Sequence, residues 1–258
     1  MIFFVKIKLI TIKVNILTNN HKTLIYNMAP IIVSIDGNIG SGKSSVVRYF
    51  EKNFAKFCAS KDYNCKICFL QEPVSTWEAI KDEHGKCIIE NFYEDNERYS
   101  FAFQMMAYIS RLSILKEALK ENYDVIITER SIYTDKNVFA KSLYDAKKMN
   151  TIEYQIYSMW FNEFSEIIKT IKMVYIRTCP EICDMRVKSR ARLGETIPLE
   201  YLKDCHHYHE VWLNNPLKME KGLVLVINGN EETNTSQFIE NTFYDEVMRK
   251  VYDFVFTL

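Results

Sequence analysis

Neither sign of charge dominates this 258-residue chain: Lys and Arg total 33, and so do Asp and Glu. A duplex nucleic-acid binder usually carries a net basic field, so the balance argues against polymeric DNA or RNA as a partner. No run reaches the roughly 18 apolar residues that span a bilayer, which argues against a membrane. Internal repeats and low-complexity linkers are absent. The seven cysteines are odd in number and scattered, with no secretory signal, a usage that fits free thiols in a reducing compartment. The one C-x-x-C, Cys65 and Cys68, has no second pair at matching spacing. Residues three apart on a strand point to opposite faces, so buried thiols are expected there rather than a metal or redox site. No acidic residue precedes Asp36. Residues 1–27 lack the Arg and Ser of a transit peptide, and lysines interrupt their apolar residues. They read as an appendage, either a targeting segment or a mis-assigned start ahead of Met28, with 28–258 as one domain. The expected location is the cytoplasm, or the mitochondrion if 1–27 is a targeting segment.

What is present is a 48% hydrophobic globular sequence. Short apolar runs at 31–36, 66–71, 124–129, 172–177 and 223–227 alternate with stretches long enough for helices. Unalternating Val- and Ile-rich runs read as strands buried on both faces. The alternation predicts an α/β fold with a five-stranded parallel sheet flanked by helices. In such sheets ligands lie at the carboxyl ends of the strands.

The first run feeds a G-x-x-x-x-G-K-S pattern. Gly37, Asn38, Ile39, Gly40, Ser41 and Gly42 make a turn whose N–H groups can point inward at an anion, and Lys43, Ser44 and Ser45 open a helix whose dipole adds to the pull. Lys43 can reach the β- and γ-phosphates, and Ser44 can hold Mg²⁺. The pattern implies a nucleoside triphosphate, without separating ATPase, GTPase and kinase.

The second run ends in "QEPVSTW", with Glu72 at the tip; a carboxylate there is either a general base for an attacking hydroxyl or a solvated strand end. The third ends in "TERSIYTD". Arg130 offers a planar fork for phosphate oxygens and Glu129 a ligand for Mg²⁺ or its waters, or the two form a surface ion pair. Over 98–119 the apolar period is helical. Gln104, Ala107 and Arg111 share one face and can read a base edge; alternatively Phe101, Met105, Tyr108 and Leu112 form the buried face and the polar pair flanks it.

Five motifs, "DGNIGSGKS", "EPVSTW", "YEDNERYSFAFQMMAYISRL", "ERSIYTDKNVFAK" and "RARLGETIPLEYL", resemble the deoxyribonucleoside kinase family, in family order over roughly residues 30–215. The resemblance implies a three-layer P-loop nucleoside-kinase fold and transfer of the γ-phosphoryl of ATP, with Mg²⁺, to a deoxyribonucleoside 5′-hydroxyl. It implies Glu72 as base, Arg130 as steadier of the incoming charge, and Gln104 as reader of the base edge. Phe103 and Phe139 pack against the base, and Val74 and Trp77 line the pocket. Tyr93 and Glu195 hold the 3′-hydroxyl. Arg186, Arg190 and Arg192 form a lid over the triphosphate, and the family implies a homodimer. The Arg111–Asp135 pair matches the deoxycytidine and deoxyguanosine branch and narrows the room for a thymine methyl, which favours deoxycytidine, deoxyadenosine or deoxyguanosine. The run "CHHYHEVWL" could suggest zinc, but a helix scatters Cys205, His206, His207 and His209 around its circumference; the resemblance assigns the run to structure. The alternatives are a thymidine-preferring or broad-specificity kinase, a thymidylate kinase, whose Asp-Arg-Tyr signature after the third strand is replaced here by "ERS", and a non-catalytic nucleotide-binding subunit, which an intact phosphate loop disfavours.

Overall fold

The computed structural model describes residues 29–168, 170–190, 196–214, 223–231 and 243–257. The appendage 1–27 and the lid residues Arg192 and Glu195 lie outside the described residues. Strands β1 (Ile31–Asp36), β2 (Ile67–Leu70), β3 (Val125–Glu129), β4 (Ile171–Arg177) and β5 (Val224–Asn228) form one sheet in the order β2-β3-β1-β4-β5. Every pairing is parallel. The apolar runs of the sequence coincide with these strands to within one residue at each end.

Side-chain alternation along β1 builds two cores. Ile32 joins Tyr108, Leu115, Tyr157 and Phe161, carried by helices α4 (Asn96–Lys120) and α7 (Thr151–Ser165). Val33 and Ile35 point the other way, onto Phe50, Phe54, Val251 and Phe254 of α1 (Lys43–Ala59) and α10 (Phe243–Phe256). The result is a helix–sheet–helix sandwich. Each of these large apolar side chains contributes about 1.5–3 kcal/mol by leaving water.

The remaining helices crowd the carboxyl edge of the sheet. They are α2 (Val74–Ala79), α3 (Ile88–Glu94), α5 (Ile132–Thr134), α6 (Lys141–Asp145), α8 (Pro180–Arg190) and α9 (Leu199–Leu213), with a π-helical turn, Asp135–Ala140, joining α5 to α6. Wide π turns occur frequently at functional sites, and this one carries Asp135 and Phe139.

Helix α4 resolves the ambiguity of its sequence. It starts at Asp95, whose carboxylate accepts the Arg98 N–H at 3.1 Å. Gln104, Ala107 and Arg111 are buried, so the polar face turns inward; of the alternative apolar face Tyr108 is fully buried, while Phe101, Met105 and Leu112 are only partly buried against the core. A helix burying Gln and Arg must meet partners across the sheet edge, and these residues lead to the site. The C-x-x-C cysteines are half-buried rather than buried, and all seven cysteines are free. On α9, His209 is fully buried, paired with the Cys205 carbonyl at 2.7 Å and stacked on Tyr175. Burial lowers its pKa to about 3, so the ring is neutral and packs as part of the core.

Candidate active site

Register brings the strand tips together. Ile35 pairs with Glu129 and Leu70 with Thr128, so Glu72, Glu129 and Arg130 emerge on one rim beside the turn that follows Asp36. Arg130 continues the ladder, donating its N–H to the Ile35 carbonyl at 3.0 Å, and then turns sharply, with φ +61°. A left-handed arginine costs about 1–2 kcal/mol. The turn sends its guanidinium back across the rim, where Nη1 donates to Glu72 and Nη2 to the Gly37 carbonyl at 3.4 Å, 4.9 Å from the Phe139 ring centre.

Arg111 reaches the same carboxylate from α4. Its Nη2 donates to Glu72 at 3.1 Å, Nε to Asp135 at 2.9 Å and Nη1 to the Glu129 carbonyl at 2.7 Å. Burial alone would raise the Glu72 carboxyl, but Arg130, Arg111 and Lys43 outweigh it and hold it well below the usual carboxylate range. Glu72 is therefore an ionised acceptor at neutral pH. Burial raises Asp135, and the charge of Arg111 opposes the rise.

These groups line a cleft that opens to solvent at its mouth. Trp77, Tyr93, Phe103, Gln104, Ala107, Arg111, Asp135 and Phe139 all line it, as do Lys43 and Ser44. The aromatic wall is ordered: Phe103 stacks on Phe92 at 4.6 Å and meets Trp77 edge-on at 5.8 Å, while Trp77 Nε1 donates to Ser110 at 2.8 Å. Gln104 is 2% exposed and its Oε1 has no protein partner. A buried unpaired acceptor costs about 1–3 kcal/mol unless a ligand satisfies it. Val74 does not line the cleft; it packs behind it with Trp77, Ile88 and Ala107. Ile89, Phe92 and Tyr201 were not anticipated as lining residues. Phe92 and Tyr201 adjoin or lie within recognisable motifs, but nothing local marks them as facing a ligand.

A second cavity lies across the phosphate turn. It is lined by Gly40, Ser41, Gly42, Lys43, Ser44 and Ser45, by Arg48, Arg186 and Arg190, and by Phe243 and Tyr244. Gly42, at φ +97°, precedes α1 without a side-chain cap; the Ser45 N–H turns back to the Gly42 carbonyl at 3.0 Å, and the Lys43 and Ser44 N–H groups at the helix start can face an anion. Gly40 must be glycine: at φ +79°, an added Cβ would lie 2.5 Å from the Cys183 carbonyl oxygen of α8. Asn38 fastens the turn instead of facing the cavity, its amide donating to the Leu202 carbonyl at 2.8 Å and its own carbonyl accepting from Lys43 at 3.2 Å. Arg186, expected in the lid, lines this cavity and also braces the turn. It donates to the carbonyls of Ser41, Gly229 and Glu231 at 3.2, 3.0 and 3.0 Å, which bolts the turn to the end of β5. Arg190 lines both cavities.

Lys43 is 4% exposed, 4.0 Å from Glu129 Oε1, and burial lowers its pKa to about 8, with Arg130 adding to the fall. Between this value and that of a free lysine the unfolded chain binds more protons, so this group's contribution to stability rises with pH there. Phosphate binding at the turn, which the glycine spacing implies, would have the opposite sign, because it needs the ammonium. Triphosphate affinity of the free protein is then expected to fall about tenfold per pH unit above 8. Calorimetric titration from pH 7 to 9.5 checks this, and a flat profile would show that the Lys43 ammonium persists through that range.

Comparison with known proteins is consistent with this geometry. A sequence profile of the deoxynucleoside kinase family matches residues 33–255. The chain is 33% identical over 229 residues to a Fowlpox virus (strain NVSL) protein named "Probable deoxycytidine kinase", covering 86% of this chain and 87% of that one. It is 31% identical over 244 residues to Homo sapiens deoxycytidine kinase, with 88% and 91% covered. To Xenopus laevis mitochondrial deoxyguanosine kinase it is 32% identical over 201 residues, with 70% and 72% covered. A parallel sheet with its phosphate turn after β1, and sequence likeness over most of the chain, lead to one conclusion: this chain belongs to the deoxynucleoside kinase family and is an enzyme that phosphorylates nucleosides.

Proposed function

We propose that the enzyme transfers the γ-phosphoryl group of ATP to the 5′-hydroxyl of a deoxyribonucleoside, preferring deoxycytidine and purine deoxynucleosides to thymidine. The observation that carries this reading is the junction of the two cavities. They share Lys43, Ser44 and Arg190, and the acceptor side of that junction holds Glu72 and Arg130. A triphosphate lying along the turn presents its terminal group to a hydroxyl in the cleft. The hydroxyl oxygen bonds to the γ-phosphorus, the bond to the β-γ bridging oxygen breaks, and the hydroxyl proton passes to Glu72. A carboxylate of such low pKa is a weak base, which suits a loose transition state that needs the proton removed late. Arg130 and Lys43 meet the charge on the transferring oxygens.

The residues present also fit Mg²⁺. The Ser44 hydroxyl donates to the Glu129 carboxylate, an adjacent pair of the hard oxygen donors that Mg²⁺ takes. Ser44 and Glu129 would hold the ion, and when bound it would neutralise charge on the donor phosphates.

Gln104 supports the base preference: its unpaired Oε1 can accept from an exocyclic amine while its amide N–H₂ donates to a ring acceptor. The Arg111–Asp135 pair fills the space beside it. Tyr93 is the described member of the pair proposed to hold the 3′-hydroxyl. The test is one assay with ATP, Mg²⁺, and a panel of nucleosides and monophosphates. Deoxycytidine or a purine deoxynucleoside should lead the nucleosides, with monophosphates inert; turnover of thymidylate alone, or of nothing, overturns the reading.

A homodimer belongs to the same proposal. Ile152, Met159 and Trp160 of α7 are 71%, 65% and 43% exposed, beside Ile109 of α4 at 49%. This apolar surface suits a second copy of the chain. Sedimentation is expected to give twice the 30.5 kDa chain mass, and Trp160→Asp a monomer; a monomeric wild type rejects the dimer. No described helix is long and apolar enough to cross a membrane, and the free thiols favour the cytoplasm.

A further inference from the structure

We infer that Thr134, Asp36 and Thr128 are positioning residues that hold Arg130 in the left-handed conformation from which it reaches Glu72; the inference rests on the role proposed above for Arg130. Three non-glycine residues among those described have positive φ, and two of them, Asp62 and Lys147, sit in exposed turns after α1 and α6. Arg130 is buried and lies between the sheet and the site. An arginine gains nothing locally from this backbone region, so neighbouring groups must hold it there.

Each peptide group around Arg130 has a designated partner. Its N–H goes to Ile35 at 3.0 Å, and its carbonyl accepts the Thr128 hydroxyl. The next N–H, of Ser131, goes to Thr134 Oγ1 at 3.2 Å. A hydroxyl has one proton and two lone pairs. The Thr134 hydroxyl gives its proton to the fully buried Asp36 carboxylate at the end of β1, which leaves a lone pair for the Ser131 N–H. Ser131 Oγ in turn accepts the Thr134 N–H at 3.3 Å, closing the first turn of α5. Asp36 therefore sets the direction of one hydroxyl, and that hydroxyl fixes the peptide that follows Arg130. Neither Asp36 nor Thr134 lines either cavity, so substrate contact does not account for them. Valine in place of Thr134 keeps the shape but leaves a buried N–H without its acceptor. The turn then relaxes, and the guanidinium leaves Glu72 and Gly37.

Steady-state kinetics of the full chain with ATP and its preferred nucleoside test this. Thr134→Val is expected to lower kcat roughly 10- to 100-fold, the scale of an ångström-level misplacement, with both KM values little changed, and Thr134→Ser to restore it. In an Arg130→Ala background Thr134→Val is expected to cost no further kcat. A normal kcat in Arg130→Ala overturns the role of Arg130 itself. An impaired Arg130→Ala alongside an unimpaired Thr134→Val overturns the positioning inference alone. So does an equal further loss in the double variant, which marks a general structural effect. Should Thr134→Val not fold, Thr128→Val removes the other brace and is judged by the same outcomes.

Discussion

Glu72→Gln is expected to lower kcat by roughly 10²–10⁴, the usual worth of general-base assistance, and to leave triphosphate binding intact. Glutamine is isosteric and its Oε1 can still accept from Arg130 and Arg111, the two donors now on the carboxylate. What is lost is the proton acceptor and one negative charge facing two buried guanidiniums. Arg111 keeps Asp135 as a paired counter-charge, whereas Arg130 keeps only neutral acceptors, the Phe139 face and the charge of Glu129. Some thermal stability is therefore lost as well, and melting must be recorded beside kinetics so that unfolding is not read as lost chemistry. Triphosphate titration separates the two sites, since the donor cavity does not include residue 72. Wild-type turnover in Glu72→Gln would remove this residue from the reaction.

Arg111→Met with Asp135→Ala is expected to raise thymidine to a substrate comparable with deoxycytidine. The pair stands in the cleft with Gln104 and Ala107, and removing it clears room for a 5-methyl group. The single variants should behave differently from the double. Arg111→Met alone strands a buried Asp135 carboxylate, and breaking such a pair from one side costs about 3–5 kcal/mol. Removing both partners avoids the stranded charge, so the double variant should melt above the Arg111 single variant. Arg111 also donates to Glu72, so kcat on deoxycytidine should drop with either Arg111 substitution. The ratio of kcat/KM for thymidine over deoxycytidine is the measure. An unchanged ratio in a folded double variant rejects the pair as the source of base preference.

The parts of this molecule that could be read in advance are those whose signal is local. The glycine spacing of 37–42 answers to backbone curvature at those positions, and the apolar runs answer to burial on both faces of a parallel sheet. Glu72 and Arg130 could be placed because strand tips share an edge. Other features depend on distant partners. The polar face of α4 is buried because Arg111 finds Glu72 and Asp135, 39 and 24 residues away, whereas helical periodicity alone favoured the neighbouring apolar face, of which Tyr108 is fully buried. Arg186 reads in sequence as a lid cation over the triphosphate; it does line the donor cavity, but its three bonds to backbone carbonyls could not be read in advance. Val74 lies one residue beyond Pro73 and turns behind Trp77 instead of into the cleft. A left-handed arginine has no sequence signature at all, because nothing in its own side chain prefers that geometry.

The submerged ammonium of Lys43 ties the enzyme's endurance to its nutrition. Buried in the wall of the donor chamber, that cation has exchanged its water for the Asn38 peptide oxygen and the charges of Glu129 and Glu72. On the proposed reading a triphosphate bound at the turn would offset that loss, and because only the native state would bind it, occupancy would add to the free energy of unfolding by mass action. A cell rich in triphosphate would thus keep this protein longer against heat and proteases than a starved one, with no regulator involved.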